Sequence, residues 1–325
     1  MLAVGALAAC GGSSGATTIT ATTVSASTTI TAASTTTTAA GTTTAAPATV
    51  TTVPAFPVTV TAGNGSVTVA SAPQRIVSLS ASLTEMLYAA GAGEQVVAVD
   101  KYSNFPPGTP MTDLSGFKPN VESIAALNPD LVLVAGDREG IVEALGAIGV
   151  TTLQFSPAVT VDDALAQLVT IGTATGHGTT ADELVTQMRA DLETLAAKAP
   201  HRDQPLTYYL ELADDGHTVT SATFIGDVLS RAGLTSIADS AGDAAGGFPQ
   251  LSNEAILAAD PDVIFLAHSN GQNPTAADLA ARPGWSELRA VHDGHVVTLD
   301  PDVAGRWGPR LVDLLAAAVE ATAGI

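Results

Sequence analysis

The sequence predicts an α/β protein built from two Rossmann-like lobes, each carrying a parallel sheet, joined by a single long α-helix. Three observations carry that expectation. NVESIAALNPDLVLV (120–134) returns as SNEAILAADPDVIFL (252–266) at a constant offset of 132 residues, so that Glu122 matches Glu254 and Pro129-Asp130 matches Pro261-Asp262. Short continuous apolar runs alternate with helical patterns in both halves, the pattern of parallel strands covered on both faces. Between the halves stands one helical stretch, TADELVTQMRADLETLAAKAP (180–200).

Residues 1–10 read MLAVGALAAC, an apolar run ending in Leu7-Ala8-Ala9-Cys10 with glycines and serines after it. This resembles a bacterial lipobox, which would make Cys10 the lipidated first residue of the mature chain. The other reading is a small-residue cleavage site with an incidental cysteine. No positive charge precedes Cys10, a departure from a secretory leader that a true start further upstream would explain. Cys10 is the sole cysteine, so no intrachain disulfide can form. Residues 11–57 are Thr, Ala and Ser with Pro47, Pro54 and Pro57 and no charge, a composition too poor in large apolar side chains to offset backbone ordering. They are expected to form a disordered or extended tether. Its GGSSG matches the G-x-S-x-G hydrolase pattern but lacks the strand and helix that pattern needs.

Every charged residue lies at or beyond Arg75, so the net charge of −20 belongs to the folded part. Such a surface repels nucleic-acid phosphate, and the three lysines, Lys101, Lys118 and Lys198, are scattered; nucleic-acid binding is set aside. No run of about 18 apolar residues offers a membrane-spanning helix.

The N-terminal lobe, 58–177, reads from Arg75 as strand RIVSLS, helix SLTEMLYAAGAG closed by Gly91, strand QVVAVD, a Pro-rich loop, helix VESIAALN and strand DLVLVAG, then helix IVEALGAIG and strand TTLQFSP. The connecting helix, 178–200, shows a capping-box pattern at Thr180 and Glu183, one apolar stripe of Leu184, Met188, Leu192 and Leu195, and a stop at Pro200. The C-terminal lobe, 201–325, repeats the order: strand TYYLEL, helix FIGDVLSRAG, strand TSIAD, a Gly-rich loop, helix NEAILAAD and strand DVIFLAH, then WSELRAV, strand HVVTLDP and a last helix from about Pro309.

In open α/β sheets ligands sit at the carboxyl ends of strands, and several such loops stand out. SLSASLTE turns straight from strand to helix, where Ser80, Ala81 and Ser82 either present small side chains and free amides to a ligand or simply cap the helix. Tyr102, Phe105 and Phe117 occupy loops in a protein only 4% aromatic, and Phe248 holds in the second lobe the place of Phe117 in the first. Tyr102, Phe117 and Phe248 could grip a large flat ligand across a cleft, or each plug its own lobe. Asp302 and Arg306 precede the last helix; the Arg306 fork suits a ligand oxygen or pairs with Asp302 as a clamp. The six histidines are dispersed, only His268 ends a strand near a cleft, and no cluster suited to a bare metal ion is expected. There is no phosphate-binding loop and no H-E-x-x-H, so nothing argues for an enzyme.

With these residues collected, the chain resembles the class III substrate-binding proteins of bacterial ABC importers, which serve cobalamin, ferric siderophores and haem. The resemblance runs from about Ala72 to the C-terminus and rests on PQRIVSLSASLTEMLYAAGAG, DKYSNFPP, NVESIAALNPDLVLV, GGFPQLSNEAILAADPDVIFL and GRWGPR, in that order. It implies a ligand cleft between the lobes and partnership with a permease dimer and its ATPase subunits. It further implies an extracytoplasmic, lipid-anchored monomer that uses no cofactor beyond its ligand. In the family a glutamate at the start of the repeated helix of each lobe docks on permease arginines, and Glu122 and Glu254 occupy those places; both also favour their helix N-termini after Asn120 and Ser252. The loops look most like those of cobalamin binders, with Tyr102, Phe117, Phe248, Asp302 and Arg306 on ligand-contact positions. Phe117 and Phe248 replace tryptophans there, and Ala135 and Val219 lack an expected aromatic. A ferric siderophore is the alternative ligand, with Arg138 and Arg306 open to an anionic complex. Haem is the less favoured one, since Phe117 stands where some members carry an iron-ligating tyrosine. An α/β enzyme and a surface sensor are the remaining readings.

Overall fold

The computed structural model describes residues 55–242, 244–268 and 272–325; the lipobox-like segment with Cys10 and nearly all of the tether lie outside the described residues. The N-terminal lobe opens with an antiparallel hairpin, β1 (Val58–Ala62) and β2 (Gly65–Val69). It continues through β3 (Ile76–Ser78), α1 (Ala81–Ala89), β4 (Val96–Val99), α2 (Val121–Ala125), β5 (Leu131–Ala135), α3 (Ile141–Ala147) and β6 (Thr151–Phe155). Two helices, α4 (Val161–Thr175) and α5 (Gly178–Ala196), then lead to the second lobe. That lobe holds β7 (Leu206–Glu211), α6 (Phe224–Ser230), β8 (Leu234–Ser236), α7 (Asn253–Ala259), β9 (Val263–Leu266), α8 (Ala276–Ala280), α9 (Arg289–His292), β10 (Val296–Thr298), α10 (Pro301–Gly305) and α11 (Leu311–Thr322).

The duplication extends to topology. The first sheet runs β4-β3-β5-β6 and the second β8-β7-β9-β10, strand for strand the same, and every pairing within them is parallel. The central strands are apolar throughout because helices cover both faces: Leu131, Val132 and Leu133 in β5 and all four residues of β9 are wholly buried. Matching punctuation ends the first helix of each lobe, Gly91 after α1 and Gly233 after α6, both in the left-handed region that glycine adopts without steric penalty. The repeated helix is capped alike in each lobe. Asn120 Oδ1 accepts from Ser123 N at 2.8 Å and Ser252 Oγ from Ala255 N at 3.2 Å.

The hairpin β1–β2 and the helices α4, α8 and α10 were not anticipated. The hairpin β1–β2 lies against the edge of β6, where Gly63 N donates to Gln154 O at 2.7 Å and Asn64 Nδ2 to Thr152 O at 2.9 Å. Helix α4 is capped by a Thr160–Asp163 box and pairs with α5, so the lobes are connected through a helical hairpin of which α5 is the longer member. The expected cap of α5 is corrected as well: the helix begins at Gly178 with His177 before it, so Thr180 and Glu183 lie inside it rather than boxing its start. The cause is the tight turn out of α4, where His177 N bonds Gly172 O at 2.7 Å and the two helices touch at Gly172 and Ala181. Met188 and Leu192 of the apolar stripe are buried, Leu184 and Leu195 half-buried.

One apolar core runs without a break from Ile76, Leu83 and Leu131 of the first lobe through Leu168, Met188 and Leu192 of α4 and α5 to Tyr208, Phe265 and Leu315 of the second. Two smaller cores, around Val132 and Ile124 and around Ile264 and Trp285, close the far faces of the two sheets. The lobes are therefore welded along one side and face each other at their strand ends.

Candidate functional site

At the carboxyl ends of β3 and β4 the chain meets the start of α10, and a cavity of about 960 Å³ opens between the lobes. Its first wall is the turn from β3 into α1. Ser80 is extended (φ −155°, ψ 129°) and its side chain makes no capping bond to α1, so the simple helix-cap reading is not what the geometry shows. Ser80, Ala81 and Ser82 all line the cavity beside the first turn of the helix, whose leading amides have no intrahelical partner.

The second wall is the long loop after β4. Tyr102 and Phe117 stand edge to face, ring centroids 5.6 Å apart at 86°, and are 47% and 60% exposed. Met111, 51% exposed, lies in the same wall. Large apolar side chains left this open inside a concavity mark a surface awaiting a partner. Two cations rest on the rings: Lys101 Nζ is 5.1 Å from the Tyr102 centroid and Arg138 Cζ 5.2 Å from that of Phe117.

The third wall comes from the second lobe through Asp302, Arg306 and Trp307. Arg306 is 9% exposed and fully engaged. It donates to Glu85 Oε1 at 2.9 Å, Asn104 Oδ1 at 2.8 Å and the Tyr102 carbonyl at 3.0 Å, and pairs with Asp302 Oδ1 at 2.7 Å. The clamp reading of this residue is the one the geometry supports. Arg310 Nε and Nη2 reach Glu85 Oε2 and Oε1 at 2.9 and 2.6 Å, and that hydrogen bonding holds the Arg310 pKa above its ordinary value. Glu85, on α1 and 3% exposed, thus bridges the lobes by binding two guanidinium groups of the other half. Asn104 Nδ2 to Asp302 Oδ2 (2.9 Å), Val161 N to Asp227 Oδ2 (2.8 Å) and Trp307 Nε1 to Gln167 Oε1 (3.1 Å) add further ties between the halves.

Other expected residues fall elsewhere. Phe248 is 42% exposed but does not line the cavity. It follows three left-handed residues, Ala245, Gly246 and Gly247, with Gly247 pressed onto Thr220 and Thr223. The facing pair across the cleft is replaced by the Tyr102–Phe117 pair within one lobe. Val219, expected at a loop site, is wholly buried in the core, whereas Ala135 lines the cavity. His268 does not line this cavity: it is buried at the edge of a smaller hollow with Asp214 and Arg282, and its Nε2 lies 2.9 Å from Glu211 Oε1, whose carboxylate Arg282 also holds. Among the described residues no histidine lines the cavity and no group of three or more His, Cys, Asp or Glu converges as a metal site. Glu122 and Glu254 are exposed one residue into α2 and α7, away from the cavity lining, and the Ser252–Glu254 turn holds the Glu254 carboxyl below its usual range through its own backbone N–H and the Ser252 hydroxyl. The sequence reading missed Glu85, Asp100, Asn104, Met111 and Arg310. Only the first and last left a signal, a charge inside an apolar helix stripe and a second arginine four residues after Arg306.

The description "periplasmic binding protein" matches residues 76–303. The uncharacterized ABC transporter substrate-binding lipoprotein YvrC of Bacillus subtilis is 32% identical over 254 residues, 75% of this chain and 78% of that one. A cobalamin-binding protein of Halobacterium salinarum is 32% identical over 256 residues, 76% of this chain and 68% of its own. Among solved structures, a periplasmic haem-binding protein of Pseudomonas aeruginosa superposes with a TM-score of 0.66 at 27% identity, over 77% of this chain and 92% of that one. The two parallel-sheet lobes, the cavity between their strand ends and these matches place the chain in the periplasmic binding protein family, among the class III substrate-binding components of ABC importers.

Proposed function

We propose that the chain captures cobalamin or a related corrinoid noncovalently in the cavity between its lobes and hands it to an ABC permease with its ATPase subunits. The observation that carries the reading is the cavity itself. At about 960 Å³ it stands at the upper end of small-molecule sites, and its open wall is aromatic and thioether surface with no cluster of three His, Cys, Asp or Glu among the described residues. Such a wall suits a large ring whose metal is already coordinated. Stacking against Tyr102, Phe117 and Met111 would supply affinity, with the Ser80–Ser82 turn and Asp302 supplying hydrogen-bond partners. The likeness to a cobalamin-binding protein at 32% identity favours a corrinoid. Haem is the second reading, favoured by the cations Lys101 and Arg138 on the cavity wall, which would suit its propionates. No chemical step is assigned to the protein, and any metal in the cavity arrives with the ligand.

In the same reading Glu122 and Glu254 dock the receptor on the permease, one from each lobe. Cys10 carries a lipid that holds the receptor, as a monomer, on the outer face of the cell membrane.

The test is a titration of the full chain with cyanocobalamin, haemin and a panel of ferric siderophores, read by Trp307, which lines the cavity. Saturable binding of cyanocobalamin, weakened about tenfold by Phe117→Ala and left nearly unchanged by Phe248→Ala, is the expected result. Binding of haemin or a ferric chelate without cyanocobalamin would overturn the ligand.

A further inference from the structure

The cavity contains one buried charge that the clamp does not use. Asp100, the residue after β4, is 2% exposed and lines the cavity. Its Oδ1 is occupied: Ser103 Oγ donates to it at 2.7 Å and Tyr102 N at 3.3 Å. Behind Ser103 stands a chain of hydroxyls, Thr84 Oγ1 at 3.0 Å from Ser103 Oγ and Ser78 Oγ at 2.9 Å from Thr84 Oγ1, all three residues wholly buried. Ser103 donates to Asp100, Thr84 donates to Ser103 or to Ser78, and the Ser78 hydroxyl donates to the Ser80 carbonyl at 3.3 Å, so the Asp100 side chain is fixed in place through Oδ1 by a buried hydroxyl network.

Oδ2 is left over. Among the described residues it accepts no hydrogen bond, and Asp100 makes no ion pair; Lys101 and Arg138, the cations of the same cavity, lie over aromatic rings. Nor is it covered from the loop opposite. A Cβ at position 116 would sit 3.6 Å from Oδ2, but the residue there is Gly116, whose backbone passes so close to Leu79 that a Cβ would fall 2.1 Å from the Leu79 carbonyl. Oδ2 is not fully buried, so it meets the cavity, and a carboxylate oxygen held rigidly there with no protein donor is a fixed acceptor open to one from a ligand.

We propose that Asp100 Oδ2 accepts an N–H from the ligand, so that the cavity selects molecules fringed with carboxamides and rejects those presenting a carboxylate at that point. The proposal rests on the cavity being the ligand site and sharpens the choice between the two ligands. A corrinoid carries amide arms around its ring; haem carries carboxylates and no peripheral N–H.

The test compares cyanocobalamin with its separate monocarboxylic acids, in which one peripheral amide has become a carboxylate, on the full wild-type chain and on Asp100→Asn. In the wild type at least one acid isomer is expected to bind about tenfold or more weakly than the amide. Asp100→Asn should weaken cyanocobalamin and relieve that discrimination, because its Nδ2 can donate to the carboxylate. A turn-forming role alone would lower every affinity together and leave the amide-to-acid ratio unchanged, which overturns the proposal. If the variant does not fold, the wild-type panel still decides, since equal affinity for all the acids also overturns it. If the wild type binds no corrinoid, the ligand reading fails separately and haemin becomes the probe: Asp100→Asn must then bind haemin more tightly, and an unchanged affinity rejects the role of Asp100.

Discussion

Glu85 shows how much a single buried charge can hold. Its carboxylate binds Arg306 and Arg310, whose side chains are 11% and 15% exposed, so none of the three groups retains much water. Removing one member of such a set leaves charges buried without a partner. Glu85→Gln is expected to lower the unfolding free energy by about 3 kcal/mol, measured by urea denaturation. Phe117 makes the opposite case. At 60% exposure its truncation should change folding stability by no more than about 0.5 kcal/mol even as it weakens the ligand, so the two effects separate in a melt and a titration of the same variant. Residues of the site were legible when they broke the composition of their segment, as Tyr102 and Phe117 do in a loop. Asp100 was not, because an aspartate ending a strand is ordinary until its second oxygen is seen to lack a donor.

Helices α4 and α5 approach each other through Gly172, where a Cβ would lie 2.3 Å from Ala181 Cβ. Gly172→Ala must push the helices apart or bend one of them, with an expected cost of about 1–3 kcal/mol and a lowered melting temperature. The cap of α4 responds to acid. The Thr160 hydroxyl, donating to Asp163, holds that carboxyl below its ordinary 3.8, and the Thr275 backbone and hydroxyl do the same for Asp278 at α8. Since the folded values are lower than the unfolded ones, these caps stabilise above pH 3.8 and the contribution disappears as the pH falls below it. Amide exchange followed from pH 6 to pH 3 should show the first turns of α4 and α8 losing protection, and Asp163→Asn should remove the effect at α4. Elements with a strong apolar period and clear punctuation were legible, β3 to β6 and β7 to β10 among them. The hairpin β1–β2 was hidden because VTVTAGNGSVTV continues the Thr, Val and Ala composition of the tether, so its alternation and its Gly-Asn turn did not stand out. The cap of α5 was misread because the contact of Gly172 with Ala181, a tertiary fact, sets where that helix starts.

For the whole molecule the duplication and the weld act together. Two copies of one strand order present Glu122 and Glu254 at the same place in each lobe, on helices that pack through Ile124 and Ile256 on the two smaller cores, while a shared core joins the lobes. Reversing both charges, Glu122→Lys with Glu254→Lys, is expected to abolish uptake of labelled ligand by cells while leaving the dissociation constant of the purified chain unchanged; uptake that persists would rule out docking through these residues. The unbroken core, reinforced at Glu85, has one more consequence. A receptor whose lobes share a core is expected to resist hinging and to show the transporter nearly the same outline with and without cargo, which would leave empty copies competing for the same berth. Import should then rise and fall as receptor is overexpressed at scarce ligand, with traffic choked by vacant carriers once they outnumber the channels.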